Sequence, residues 1–178
     1  QQPHPPIWVP VTGSKESIEW AAQRGFPITP GLAGSIGFRQ DMVRYYAKCM
    51  AEAGGEVTPN HLVVGTNAYV ADNRAQALEE AGPYQLYFSR TLFSHGNVVE
   101  TVQQQKDGYV SADAYDYVRP KNRQASNRVR STFRDLTMED IANDQALAWG
   151  GADEVTEKLI AEAGALGSNT LLLNMNRG

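Results

Sequence analysis

Short apolar runs alternate with helical patterns along the chain, and this alternation limits the possible folds more than any other feature. Four runs are typical of strands, at residues 7–11, 26–32, 61–71 and 170–175. Strands separated by helices are typical of parallel βα units, so we predict an α/β fold. Four such strands with right-handed crossovers fit half of an eight-stranded (β/α)8 barrel or a small open sheet, and periodicity leaves both open.

Helix signals lie between and after these runs. Ser14 is a candidate N-cap, and we expect further helices over residues 37–53, from Asp72 and from Thr137. A helix after Gly150-Gly151 is expected to end at Gly167, directly before the last strand. That strand is apolar on both faces, which predicts burial between helices or inside a barrel.

Helical and strand periodicity both fail over residues 94–135, which we interpret as a long loop insertion in a single unit spanning residues 1–178. The segment contains six basic and no acidic residues between 119 and 134, although the whole chain has a net charge of −4. We expect a mobile lid whose basic stretch becomes ordered with an anionic ligand or with the rest of a barrel; the alternative is a solvated linker without function. Tyr109, Tyr115 and Tyr117 either line a substrate entrance or anchor this loop.

Composition narrows the function classes. Cys49 is the single cysteine, so the chain cannot form an internal disulfide, and its apolar surroundings in the sequence place it in the core. We expect a cytoplasmic protein. No run approaches the roughly 18 to 20 apolar residues of a membrane span, and we predict neither a membrane, nor a nucleic-acid partner, nor a metal site.

The turn after the first strand carries the strongest local signal of a binding site. Gly13 permits close approach of the backbone to a ligand, and a helix start offers unpaired N–H groups. Ser14, Ser17 and Lys15 add hydroxyl and ammonium donors, so this turn is able to cradle a phosphate. The alternative is that Ser14 only caps the helix.

The segment at residues 11–23, VTGSKESIEWAAQ, followed by Gly25-Phe26-Pro27, resembles bacterial luciferase-type flavin monooxygenases after their fifth barrel strand. Residues 69–72 (YVAD), 150–155 (GGADEV) and 167–178 resemble later parts of that family in the same order. The resemblance implies that the chain corresponds to strands five to eight of the barrel. The first four strands, which supply much of the flavin floor, would come from a complementary N-terminal half or a second chain, and we expect an oligomer.

The resemblance also implies a chemistry. Members bind reduced FMN, which reacts with dioxygen to oxidise an aldehyde, a ketone or a similar small organic substrate. Carried over by position, Gly13, Ser14 and Ser17 contact the flavin phosphate, with Gly13 contributing backbone where luciferase has an acidic residue. Leu32 faces the isoalloxazine, where luciferase has a tryptophan. Catalytic residues stay unassigned. The alternatives are a deazaflavin-dependent oxidoreductase and a non-catalytic flavin-binding or partner subunit.

Overall fold

The computed structural model describes residues 3, 5–31, 35–91, 113–122 and 135–175. Strands and helices alternate along these residues as expected. Their bounds are β1 Val9–Val11, α1 Lys15–Gln23, β2 Ile28–Pro30, α2 Ile36–Glu52, a 3-10 turn Pro59–His61, β3 Val63–Val70, α3 Arg74–Thr91, α4 Met138–Asn143, β4 Leu147–Gly150, α5 Ala152–Leu166 and β5 Thr170–Asn174. No helix within these ranges is long and apolar enough to cross a membrane.

The strands pair in parallel throughout the described residues. β1 pairs with β2, and β3 lies between β4 and β5 in a second sheet. A parallel bridge between Ile28 and Leu62 joins β2 to the start of β3. The prediction of an α/β fold with parallel strands is therefore confirmed. Because parallel strands share one direction, their carboxyl ends meet at the same edge, where the loops that follow them come together.

β4 is a fifth strand, so the prediction of four strands was wrong. The four residues Leu147–Gly150 are all buried and pair with the end of β3. A four-residue strand is too short for a two-residue alternation to show in the sequence, and its burial on both faces removes that alternation altogether. The prediction that Asp72 is the N-cap of α3 was also wrong by one residue. The side chain of Asn73, rather than Asp72, accepts a hydrogen bond from the Gln76 N–H.

Two regions of apolar packing hold the fold together. In the first, β1 and β2 pack against α1 and α2 through a cluster that contains Ile18, Met42 and the buried Cys49. In the second, alternate residues of β3 and β4 face opposite helices: Ala68 and Ala148 pack with α5, whereas Leu147 and Trp149 pack with α3 and α4.

β5 departs from the burial expected for it. Leu171, Leu172 and Leu173 are 39%, 47% and 38% exposed, and Met175 is 54% exposed. β5 pairs with β3 along one edge, and its residues are exposed or half-buried. The described residues therefore do not bury this strand, although its sequence is as apolar as expected.

Candidate functional site

Gly13 forms the turn between β1 and α1, and its place requires glycine for two reasons. Its φ is +121°, which is outside the range that L side chains normally adopt. A Cβ here would also lie 2.8 Å from Phe38 Cζ and 3.2 Å from Tyr115 Cε1. The backbone of this turn is therefore held in close contact with aromatic rings of α2 and of the insertion.

Ser14 and Ser17 lie together at the start of α1. Ser14 occupies the N-cap position, as predicted, but its side chain makes no capping bond. Its Oγ instead lies 3.1 Å from Ser17 Oγ. Each hydroxyl has one hydrogen, and their mutual bond uses one of the two, so one O–H remains to donate to a ligand. The positive end of the helix dipole is located at the same turn.

The described part of the insertion, residues 113–122, is packed across this turn, and we call it the strap. The Ala114 carbonyl accepts a hydrogen bond of 2.8 Å from the Lys15 N–H. The Lys15 ammonium forms an ion pair with Asp113, whose hydrogen bond is the main cause that raises the pKa of Lys15. The Tyr117 hydroxyl donates to the Gly13 carbonyl. Lys15 thus uses its backbone donor and its side chain to hold the strap.

Asp41 anchors the other end of the strap. Its carboxylate is 1% exposed and accepts hydrogen bonds from the Asn122 amide at 2.6 Å and the Arg119 N–H at 2.9 Å. Arg119 Nε lies 2.7 Å from Asp41 Oδ1, and Arg44 forms a further ion pair with the same carboxylate. Burial alone would raise the pKa of Asp41, but these hydrogen bonds and charges outweigh burial and lower the pKa.

Aromatic packing completes the attachment. The rings of Tyr117 and Tyr45 stack with centroids 4.5 Å apart, and the Tyr45 hydroxyl donates to Glu19 on α1. Ala114 and Val118 are buried. Of the two roles left open for the loop tyrosines, Tyr115 and Tyr117 therefore serve as anchors. Tyr109 lies outside the described residues, as do residues 94–112 and 123–134 of the insertion.

The residues predicted to contact the flavin phosphate and the isoalloxazine ring follow neighbouring strands in the sequence. Val11 pairs with Pro30, and the Gly31 N–H donates to the Val11 carbonyl at 2.9 Å, so the carboxyl ends of β1 and β2 are adjacent. Gly13, Ser14 and Ser17 share the turn after β1. Leu32 lies outside the described residues, two positions beyond the end of β2.

Sequence reasoning missed Asp41 and Asp113 as residues that organise the site. Asp41 left a signal, because it lies at helical spacing between Phe38 and Tyr45, on the apolar side of α2 where a carboxylate is unusual. Asp113 left none. Its contact with Lys15 joins residues 98 positions apart, and only the folded chain brings them together. Within the described ranges, no group of three or more His, Cys, Asp or Glu side chains is placed to hold a metal ion.

The chain belongs to the luciferase-like monooxygenase family, whose model matches residues 1–169. The resemblance of the sequence to that family is thereby confirmed. No curated protein sequence matches the chain.

Solved structures share the fold. One is the oxygenating constituent of 3,6-diketocamphane monooxygenase from Pseudomonas putida, a type II Baeyer–Villiger monooxygenase in complex with FMN, with 21% identity and a TM-score of 0.61 over 97% of this chain. Monooxygenase RslO1 from Streptomyces bottropensis has 19% identity and a TM-score of 0.56 over 100% of this chain. An F420-dependent secondary alcohol dehydrogenase, in complex with an F420-acetone adduct, has 12% identity and a TM-score of 0.54 over 97%. This chain spans 42%, 43% and 43% of these proteins, respectively.

Proposed function

We propose that this chain supplies the phosphate-binding end of the flavin site in a monooxygenase that uses reduced FMN and dioxygen to oxidise a small organic substrate. The observation that carries the proposal is the pair of serine hydroxyls, Ser14 and Ser17, at the start of a helix that follows the carboxyl end of a parallel strand. Anions bind at such helix starts, and barrel enzymes place their sites at this end of the strands. Family membership agrees with it.

The residues at this turn fit a phosphate in part. The serine pair retains one O–H to donate, and Gly13 presents backbone without a side chain. The Lys15 N–H already donates to Ala114, so the hydroxyls rather than that N–H are the donors in this proposal. Bound FMN would supply the redox chemistry, while these residues orient it through its phosphate. Leu32 stays a proposed contact of the flavin ring, because it follows β2 in the sequence.

The proposal also assigns the chain to strands five to eight of a barrel, with β4 as an additional strand. Support comes from its span of 42% of an FMN-binding neighbour and from the exposed leucines of β5. The first four strands, on a complementary half or a second chain, would cover those leucines. Replacing Leu171 and Leu173 by threonine keeps strand propensity and should reduce self-association measured by sedimentation velocity. A chain that is monomeric before and after the change, with a sharp cooperative melt, would favour a self-contained domain.

Introducing a negative charge at the serine pair tests the cofactor site. Ser14→Asp places a carboxylate against the phosphate and should weaken FMN binding at least about tenfold, or ~1.4 kcal/mol. The control is Asn73→Asp, which adds the same charge at the N-cap of α3 and keeps a side-chain acceptor for the Gln76 N–H. Flavin fluorescence measures both affinities. Equal FMN affinity in the two variants would remove this turn from the cofactor site.

A deazaflavin-dependent oxidoreductase is the second candidate, favoured by the fold shared with the F420-dependent dehydrogenase. The two candidates differ in their use of oxygen, because a deazaflavin enzyme transfers hydride to or from its substrate without consuming dioxygen. Mass identification of the cofactor that co-purifies, together with an oxygen electrode trace during turnover with reduced FMN and candidate aldehydes or ketones, distinguishes them. Bound FMN without any turnover would indicate a flavin-binding or partner subunit.

A further inference from the structure

We propose that Asp113 is an intramolecular competitor for the anion that binds at the start of α1, and that ligand binding displaces it from Lys15. The inference rests on the proposed phosphate site and adds a residue of the insertion that controls access to it. In the structure, the Asp113 carboxylate of the strap already pairs with the ammonium of Lys15, the residue that follows Ser14 in the sequence.

The local charge around the start of α1 is unfavourable to an anion while Asp113 is in place. Lys15 carries the single positive side chain of the first turn, and the carboxylates of Asp113, Glu19 and Glu16 all act on it. Releasing Asp113 would remove the carboxylate that is hydrogen-bonded to Lys15 and leave the weaker fields of Glu19 and Glu16. The ammonium could then act together with the helix dipole on a phosphate. Asp113 therefore lowers the affinity of this turn for anions in general.

The exchange of Asp113 for a ligand is confined to an exposed ion pair. The Asp113 side chain is 54% exposed and that of Lys15 is 25% exposed, so water screens the pair and replaces either partner readily. The remainder of the strap stays attached, because Ala114 and Val118 are buried and Asn122 is held by Asp41. A phosphate can thus take the ammonium from Asp113 without unfolding the strap.

Removing the charge of Asp113 tests the inference. Asp113→Asn should tighten binding of FMN about two- to fivefold in isothermal titration, and it should also tighten binding of inorganic phosphate. Glu157→Gln is the control, because Glu157 is an exposed carboxylate on α5 and its replacement changes the net charge equally. Affinity for FMN in the control should stay within about 1.5-fold of the parent protein, since general charge effects on exposed sites are small.

Two further measurements separate displacement from other effects. Riboflavin has no phosphate, so its affinity should be equal in the parent protein and in Asp113→Asn. In the background of Lys15→Met, which removes the contested ammonium, Asp113→Asn should no longer tighten FMN binding. Thermal melts of each variant verify that the strap and its helices remain folded.

The outcomes distinguish the inference from the proposed function. Tighter FMN binding in Asp113→Asn that depends on Lys15 and on the phosphate supports both the competition by Asp113 and the proposed phosphate site. Binding of FMN that responds to Ser14→Asp but is equal in Asp113→Asn and the parent protein overturns the inference and leaves the phosphate site standing. An FMN affinity that is unaffected by Ser14→Asp removes the phosphate site, and the inference fails with it.

Discussion

Replacing Asp41 by alanine is expected to destabilise the protein because it removes the buried acceptor that holds the strap. Two donors lose their partner, the Asn122 amide and the Arg119 N–H, and a buried donor left unsatisfied costs about 1–3 kcal/mol. The Asn122 amide keeps its bond to the Gly37 carbonyl, which limits its share. The side chains of Arg44 and Arg119 are 54% and 41% exposed, so their lost ion pairs add less than about 1 kcal/mol.

The expected loss in the free energy of unfolding is therefore about 2–4 kcal/mol, which for a chain of this size lowers Tm by roughly 4–16 °C. Urea denaturation followed by circular dichroism measures it. Glu157→Ala, at an exposed position of α5, is the control, with an expected change below about 0.5 kcal/mol. The strap should also open locally, so trypsin should cleave after Lys121 faster in Asp41→Ala than in the control. A loss below about 1 kcal/mol, or an unchanged cleavage rate, would refute the anchoring role of Asp41.

Asp41 also predicts a dependence on pH. Its pKa in the folded protein is lowered from an ordinary value of 3.8. A depressed carboxyl pKa contributes stability that is present above the ordinary value and is lost as pH falls through the folded-state value. The stability difference between the parent protein and Asp41→Asn should accordingly be constant above about pH 5 and shrink below about pH 4. A difference that persists undiminished in acid would contradict the assignment of charge to this carboxylate.

Other positions give shorter tests. Gly13→Ala should lower the free energy of unfolding by about 1–3 kcal/mol because of its φ of +121°, and by more because the new Cβ contacts Phe38. Gly25→Ala is the control: its φ is +63°, nothing lies within 4 Å of its Cβ, and the expected loss is about 1 kcal/mol. Equal Tm values for the two variants would contradict the role of packing at Gly13. Glu162→Ala leaves Arg39, which is 3% exposed, without its ion-pair partner and should lower the free energy of unfolding by about 3–5 kcal/mol. Replacement of the exposed Glu157 by alanine should have a small effect, and the urea denaturation midpoints of the two variants measure the difference. Burial raises the pKa of Tyr46 to about 12, so stability should fall as pH rises from about 10 to 12, and Tyr46→Phe should weaken that fall in alkaline unfolding curves.

Much of the fold is readable from the sequence because its signals are local. The inner faces of α1 and α2, the glycine that ends α5 and the turn at Gly13 depend on residues three or four positions apart, and the sequence displays them directly. Gly167 adopts φ +70° at the end of α5, as its position after a long helical pattern predicts. The family, too, is identifiable from contiguous motifs such as residues 11–23.

The tertiary structure alone decided the remainder, because it depends on contacts between distant residues. β4 became a strand by pairing with β3, since its four residues have too little pattern of their own. β5 has the apolar sequence of a buried strand yet lies exposed, because burial requires a covering element that a strand cannot encode in itself. The strap reaches the turn at Gly13 through contacts 98 and 104 positions apart in the chain. Local sequence specifies what each segment is able to form, while packing between segments determines which donors and charges meet at the site.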